Sequence, residues 1–122
     1  MTYRSQLVVI GGKSSTSGQD TNKLWVLDEH LHSFTFMPTK RSDSSSVAVG
    51  SHLIVAGGNS NDDLHISLDV VEVYDGKKWK KVQSLPKACY EMKSAVHKGN
   101  WYLAGGVTQG REVLYASLES LV

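Results

Sequence analysis

Three Gly-Gly pairs divide this chain into repeats and restrict what it can fold into. Each pair follows a short apolar run, at residues 7–10, 53–56 and 101–104, and the pairs are Gly11-Gly12, Gly57-Gly58 and Gly105-Gly106. The second glycine recurs at positions 12, 58 and 106, in steps of 46 and 48 residues. A period of this length is typical of repeat arrays rather than of a mixed core.

The two prolines keep the same register. Pro38 lies 19 residues before Gly57 and Pro86 lies 19 residues before Gly105, so segments 38–58 and 86–106 superpose without a gap. In that alignment Ser46 meets Ser94. The sequence therefore predicts at least two structurally equivalent units.

Turn residues divide one period into four short strands. The strands are predicted at residues 45–49, 53–56, 69–74 and 78–82. Asp75-Gly76 between the last two is a strong hairpin signal, and the unbroken apolar run 53–56 indicates burial on both faces. No segment has useful helical periodicity. We expect an all-β chain of four-stranded antiparallel meanders, with about ten or eleven strands in total.

Composition and charge exclude several classes of partner. The chain has 122 residues, with 13 basic and 12 acidic side chains and a net charge of +1, too little to attract nucleic acid or anionic lipid without a local cluster. The densest cluster, residues 77–81, is interpreted as lysines that protect an exposed outer strand edge, with a basic patch for anionic partners as the alternative. The longest apolar runs are about four residues, against about 20 for a membrane span.

Cysteine usage bears on the cellular compartment. Cys89 is the only cysteine, so no internal disulfide can form, and the first residues lack the apolar stretch of a secretory signal. We expect a cytoplasmic or nuclear location.

The repeat resembles the kelch motif: an apolar run into Gly-Gly, a variable loop, the strand Val-Glu-Val-Tyr-Asp, then a Trp and a Leu-Pro. Gly57-Gly58, Tyr74 and Trp79 stand at the diagnostic positions of the central repeat. In the first repeat Leu27 replaces the Tyr, and Leu31 or Phe34 must fill the Trp position. The resemblance implies kelch-type β-propeller blades, in which the glycines allow positive φ and the Tyr and Trp fill the space between blades.

The number of blades is unusual for a propeller. We predict a single kelch-repeat region over 1–122, with an incomplete blade at 1–38, a complete blade at 39–86 and an incomplete blade at 87–122. About two and a half blades cannot close a ring of four to eight, and the outer blades would expose apolar faces. Three explanations remain open: a fragment of a longer propeller, a truncated gene model, or a homodimer that completes a six-bladed ring.

The resemblance places binding residues in the loops at one end of the propeller. Kelch adaptors contact partners just after Gly-Gly and between the Leu-Pro and the next strand. On this chain the implied positions are Lys13, Asn59 and Asn61 after the glycines, and Arg41, Ser42, Ser44, Cys89, Tyr90 and Glu91 after the prolines. Arg41 stands where many adaptors place a ligand-binding arginine, whereas Cys89 replaces it in the next repeat, which weakens the expectation of an acidic peptide partner.

The sequence offers no assembled catalytic or metal-binding set. His30 and His32 share one strand face but lack a third ligand, so we interpret them as surface histidines and expect no metal and no cofactor. We predict a non-catalytic protein-interaction module, such as a substrate adaptor or a cytoskeletal scaffold, which binds neither nucleic acid nor membrane. The alternatives are a fragment of a kelch-propeller enzyme, of copper oxidase or sugar epimerase type, and a unit that forms a propeller by dimerisation.

Overall fold

The computed structural model describes residues 1–60, 66–98, 100–107 and 114–118, and the regular elements among them are all strands. They are β1 (Thr2–Tyr3), β2 (Gln6–Ile10), β3 (Thr21–Leu27), β4 (Leu31–Arg41), β5 (Ser45–Val49), β6 (His52–Ala56), β7 (Asn59–Ser60), β8 (Ile66–Ser67), β9 (Val71–Tyr74), β10 (Trp79–Lys81), β11 (Tyr90–His97), β12 (Asn100–Val107) and β13 (Leu114–Leu118). No helix in the described part is long and apolar enough to cross a membrane.

The strands form three successive antiparallel sheets. The first sheet has the order β1-β2-β3-β4, the second β10-β9-β6-β5 and the third β11-β12-β13. A further two-stranded pair, β7 with β8, interrupts the second sheet's connection between β6 and β9. The prediction of an all-β chain built from antiparallel meanders is confirmed.

The described residues hold thirteen strands, more than the ten or eleven predicted. The main difference is the pair β7 and β8, which lies in the stretch expected to be an irregular polar loop. Strands of only two residues are too short to show an alternation of apolar and polar side chains, so pattern alone does not reveal them. The four strands predicted for the central unit are all present as β5, β6, β9 and β10.

Strand β6 is buried on both faces, as its unbroken apolar run indicated, because the second sheet lies between the other two. Leu53 and Val55 pack with Val8 and Leu24 in the cluster between the first and second sheets. Ile54 and Ala56 point the other way and join the cluster between the second and third sheets, which includes Val71, Leu85, Met92, Trp101 and Leu103. Alternate residues of one strand thus supply two cores.

Tyr74 connects the first two sheets through aromatic contacts. Its ring centroid lies 5.8 Å from that of Phe34 in an edge-to-face arrangement, 6.4 Å from Tyr3 and 5.1 Å from Trp79. Trp79 stands opposite Tyr74 in the strand register, and in the first sheet Leu31 stands opposite Leu27 in the same way. Leu31 therefore takes the backbone position of the missing Trp, whereas Phe34 packs against the neighbouring sheet.

The outer face of the first sheet is apolar and exposed. Leu7, Val9 and Leu27 are 46%, 44% and 41% exposed, and Phe36 is 55% exposed. They lie opposite the buried residues Val8, Leu24 and Val26 because side chains alternate along a strand. Exposed apolar faces of this kind commonly mark surfaces that pack against other protein.

The Gly-Gly pairs join each sheet to the chain segment that leaves it. Gly12 donates its N–H to the carbonyl of Arg41 at 2.9 Å, and Gly58 donates to the carbonyl of Cys89 at 2.9 Å. A Cβ at Gly11 would lie 2.6 Å from the Arg41 carbonyl oxygen, and one at Gly57 would lie 2.5 Å from that of Cys89. Only glycine allows this approach, and the positive φ angles of all four glycines require it as well.

The third Gly-Gly pair lies inside a strand. Gly105 and Gly106 belong to β12, and the φ of Gly106 is +93°. A Cβ at Gly106 would lie 2.6 Å from the side chain of Met92 on the paired strand β11. Gly106 therefore also lies too close to its neighbours to carry a side chain, although the strand continues through it.

Gly12 and Gly58 form a matched pair for testing this close packing. Their φ angles are +104° and +99°, so alanine brings similar backbone strain at both positions. An added Cβ would lie 2.5 Å from the Ser42 carbonyl at Gly58, but nothing in the described part lies within 4 Å at Gly12. We expect Gly58→Ala to lower the free energy of unfolding by roughly 1–3 kcal/mol more than Gly12→Ala, measured by urea denaturation with tryptophan fluorescence. Equal losses would contradict the packing argument.

Candidate functional site

Asp43 and Glu91 occupy equivalent positions where adjacent repeats meet at the Gly-Gly end of the sheets. They are 48 residues apart, which is the repeat step, and each precedes or begins the first strand of its sheet. Glu91 donates its backbone N–H to the carbonyl of Asp43 at 2.9 Å. Both side chains are exposed. The repeat therefore places two carboxyl side chains side by side at one end of the molecule.

The backbone at both positions is left-handed, with φ angles of +55° at Asp43 and +58° at Glu91. Residues with a Cβ rarely adopt this conformation, which costs roughly 1 kcal/mol for each. The tightly hydrogen-bonded junction holds both residues there and directs the chain into β5 and β11. The backbone conformation at Asp43 and Glu91 is thus more constrained than that of an ordinary loop.

An open pocket of about 390 Å³ lies between these two residues. Its lining comprises Asp43, Ser44, Glu91, Met92 and Lys93. Met92 is buried, whereas Asp43, Glu91 and Lys93 are exposed. Two carboxylates against one ammonium give the pocket a net negative charge, and carboxylates bind the cationic groups of arginine and lysine through charge-assisted hydrogen bonds. The pocket can therefore receive a cationic side chain of a partner.

Arg41, two residues before Asp43, is fully buried and paired inside the protein. Its Nη2 forms an ion pair with Oε1 of Glu72, which is also fully buried. Its Nη1 donates to the carbonyls of Gly57 at 2.9 Å and Val70 at 3.0 Å. Thr39 donates to the other carboxylate oxygen of Glu72 at 3.0 Å. This ion pair and these hydrogen bonds connect strand β4 of the first sheet to the second sheet.

The electrostatics of Arg41 agree with a structural role. Burial lowers the pKa of its guanidinium, and the carboxylate of Glu72 partly opposes that shift. The partner-binding role expected for Arg41 needs an accessible guanidinium, which the structure does not provide. The prediction treated the loop after the proline as solvent-exposed. In the structure β4 extends through Arg41, and the Arg41 side chain is buried against the second sheet.

Cys89 takes the position of Arg41 at the next junction, where the surrounding side chains are apolar. It is 2% exposed, and its thiol contacts the sulfur of Met92 at 3.1 Å. Burial raises the pKa of the Cys89 thiol, so the reactive thiolate is disfavoured at neutral pH. Cys89 therefore belongs to the core between the second and third sheets, and it presents no ligand atom to a partner.

The other predicted binding residues divide by accessibility. Lys13 is exposed but pairs at 3.0 Å with the buried carboxylate of Asp20. Ser42 is buried, and its backbone pairs with that of Asn59 in both directions. Asn59 and Tyr90 are half-buried, and Asn61 lies outside the described residues. Ser44 and Glu91 are the two predicted residues that line the pocket.

Asp43 and Lys93 also line the pocket, and sequence reasoning did not select them. The gap-free alignment of the two repeats already matched Asp43 with Glu91, so the repeat itself carried the signal for Asp43. Lys93 has no such signal, because the residue aligned with it in the preceding repeat is Ser45.

The sheets and their repeated Gly-Gly junctions define blades of a kelch-type β-propeller. Residues 40–86 match the family model described as the Kelch motif. Among 112 matching chains of solved structures is one titled "Structure of YjhT", with a TM-score of 0.77 and 18% sequence identity. The match covers 92% of this chain and 38% of that one, and it shows the fold. No curated protein matches the chain in sequence.

The buried ion pair makes a prediction about Arg41. Arg41→Met leaves the Glu72 carboxylate buried without its partner, so we expect the free energy of unfolding to fall by about 3–5 kcal/mol. The neighbouring exposed Lys40 provides the control, and Lys40→Met should change stability by no more than about 0.5 kcal/mol. Urea denaturation measures both.

A second variant separates charge from packing. Adding Glu72→Gln to Arg41→Met removes the unpaired buried charge, so the double variant should be more stable than Arg41→Met alone. A loss for Arg41→Met as small as that for Lys40→Met would show that the guanidinium does not hold the sheets together.

Proposed function

We propose that this chain is a non-catalytic protein-interaction module that binds a partner through the Gly-Gly end of its blades. The observation that carries the proposal is the pairing of Asp43 and Glu91, which the repeat places at equivalent positions on either side of an open pocket. The left-handed backbone at both positions fixes where the two side chains leave the chain. Loops held by a rigid β-scaffold are a common place for partner contacts.

The charge of the pocket supports a partner segment with a cationic side chain. An acidic peptide would meet two carboxylates, and the arginine that could attract it is buried against Glu72. A lysine or arginine of the partner would instead lie between Asp43 and Glu91, with Met92 against its aliphatic stem. Lys93 at the pocket wall would limit how many positive charges the segment carries.

The distribution of nucleophiles and bases supports a non-enzymatic role. The four described histidines, His30, His32, His52 and His97, lie at the ends of strands opposite the Gly-Gly end. Ser44 in the pocket therefore has no described histidine beside it to act as a general base. Cys89, the only cysteine, is buried with a raised thiol pKa. Among the described residues, neither a serine–histidine pair nor the Cys89 thiol is therefore arranged to act as a nucleophile.

A peptide selection tests the proposal. A random peptide library displayed on phage is selected on the unmodified chain, after depletion on the double variant Asp43→Asn with Glu91→Gln. We expect enriched peptides to carry lysine or arginine. Measured by calorimetry, the double variant should bind such a peptide about fivefold to tenfold more weakly, since each exposed ion pair contributes up to about 1 kcal/mol.

Glu29→Gln is the matched control, because it removes an exposed carboxylate at the opposite end of the first sheet. It should leave binding unchanged, whereas added salt should weaken binding to the unmodified chain. Enrichment of acidic peptides, equal binding by the double variant, or failure to enrich any peptide would each contradict the proposal.

A further inference from the structure

The turn between β3 and β4 brings together three side chains that commonly bind transition metals. Asp28 follows β3, His30 lies in the turn, and His32 is on β4. The hairpin closes at the pair Leu27 and Leu31, so only three residues separate the strands. All three side chains are exposed, at the end of the sheet opposite the Asp43 and Glu91 pocket.

One ligand atom from each of the three residues lies within 4.8 Å of the other two. The Asp28 Oδ1 atom is 3.7 Å from Nδ1 of His32, and the two imidazole centroids are 6.0 Å apart. The backbone N–H of His30 donates to the Asp28 Oδ1 at 3.2 Å. This hydrogen bond holds the carboxylate over the turn, where both imidazoles can reach it.

The sequence interpretation of His30 and His32 lacks a third ligand, and the turn supplies a candidate in Asp28. The alternation His30-x-His32 suggested chelation, but two imidazoles alone make a weak site, and no third ligand was identified. The same alternation extended by two residues reaches Asp28, and the turn folds its carboxylate toward His32. The interpretation of these histidines as ordinary surface residues does not account for this convergence.

We propose that Asp28, His30 and His32 form a binding site for a divalent transition metal ion, and that this ion is Zn²⁺. Two imidazoles and one carboxylate are a common zinc ligand set, with metal–ligand distances of about 2.0–2.2 Å. Ligand atoms within 4.8 Å of one another reach these distances through small rotations of exposed side chains. Three protein ligands leave at least one coordination position for water or a ligand atom from another molecule.

The ligand chemistry also sets the order of affinity for different metal ions. Imidazole nitrogen with carboxylate oxygen favours Cu²⁺ over Zn²⁺, and Zn²⁺ over Mn²⁺, while Mg²⁺ and Ca²⁺ prefer oxygen ligands alone. Because the turn brings the three ligands together in the folded chain, tighter binding to that state stabilises the first sheet by mass action. This inference is independent of the proposed function of the opposite end.

Calorimetric titration of the metal-free, untagged chain with zinc chloride tests the site. We expect one saturable site per chain and a rise in unfolding temperature with zinc. His30→Ala, His32→Ala and Asp28→Asn should each weaken binding at least tenfold. Asp28→Asn keeps an amide oxygen that can accept the His30 N–H, so it separates loss of the metal ligand from loss of the turn.

His97→Ala is the matched control, since His97 is an exposed histidine in a different sheet. It should leave zinc affinity unchanged. Nuclear magnetic resonance adds a positional readout, in which zinc should shift the imidazole signals of His30 and His32 but not that of His97. Absence of saturable binding, equal loss in His97→Ala, or unchanged affinity in the three site variants would overturn the proposal.

Discussion

The hydrogen bonds from Gly12 and Gly58 to the carbonyls of the junctions that follow hold the repeats in order. Gly12 donates its N–H to the Arg41 carbonyl and Gly58 donates its N–H to the Cys89 carbonyl, both at 2.9 Å. The chain leaves one sheet over these glycines and enters the next, so the contact fixes where each new first strand begins. The paired backbones of Ser42 and Asn59, and of Asp43 and Glu91, extend this hydrogen bonding from one repeat to the next.

The same backbone arrangement at the two junctions is compatible with two different sets of buried side chains. At the first junction Arg41 reaches into the second sheet and pairs with Glu72, whereas at the second junction Cys89 and Met92 pack among apolar side chains. The buried ion pair explains why the residue after the proline is unavailable to a partner, although it stands where adaptors use an arginine. The exposed side chains at the two junctions are instead Asp43 and Glu91, each two residues further along the chain. The negative character of the proposed binding pocket follows from these two side chains.

The sequence allowed most of the fold to be predicted, because strand alternation and glycine spacing are local properties. The strands of the central repeat and the double-sided burial of β6 came from such patterns. The burial of Arg41 depends on Glu72, 31 residues away on another sheet, and nothing local to either residue indicates the pair. Asp28 is close to His32 in sequence, but its carboxylate approaches that imidazole only because the three-residue turn folds it back. Asp43 was within reach of the sequence, because the repeat aligns it with Glu91.

Amide hydrogen exchange, followed by nuclear magnetic resonance, tests the junctions most directly. The account predicts that the amides of Gly12, Gly58, Asn59 and Glu91 exchange slowly, as the amides of the buried strand β6 do, because each donates to a carbonyl of another segment. Exchange of the Gly12 and Gly58 amides at the rate of an unstructured peptide, while β6 remains protected, would contradict it. The sheets would then form without being ordered by the glycine contacts.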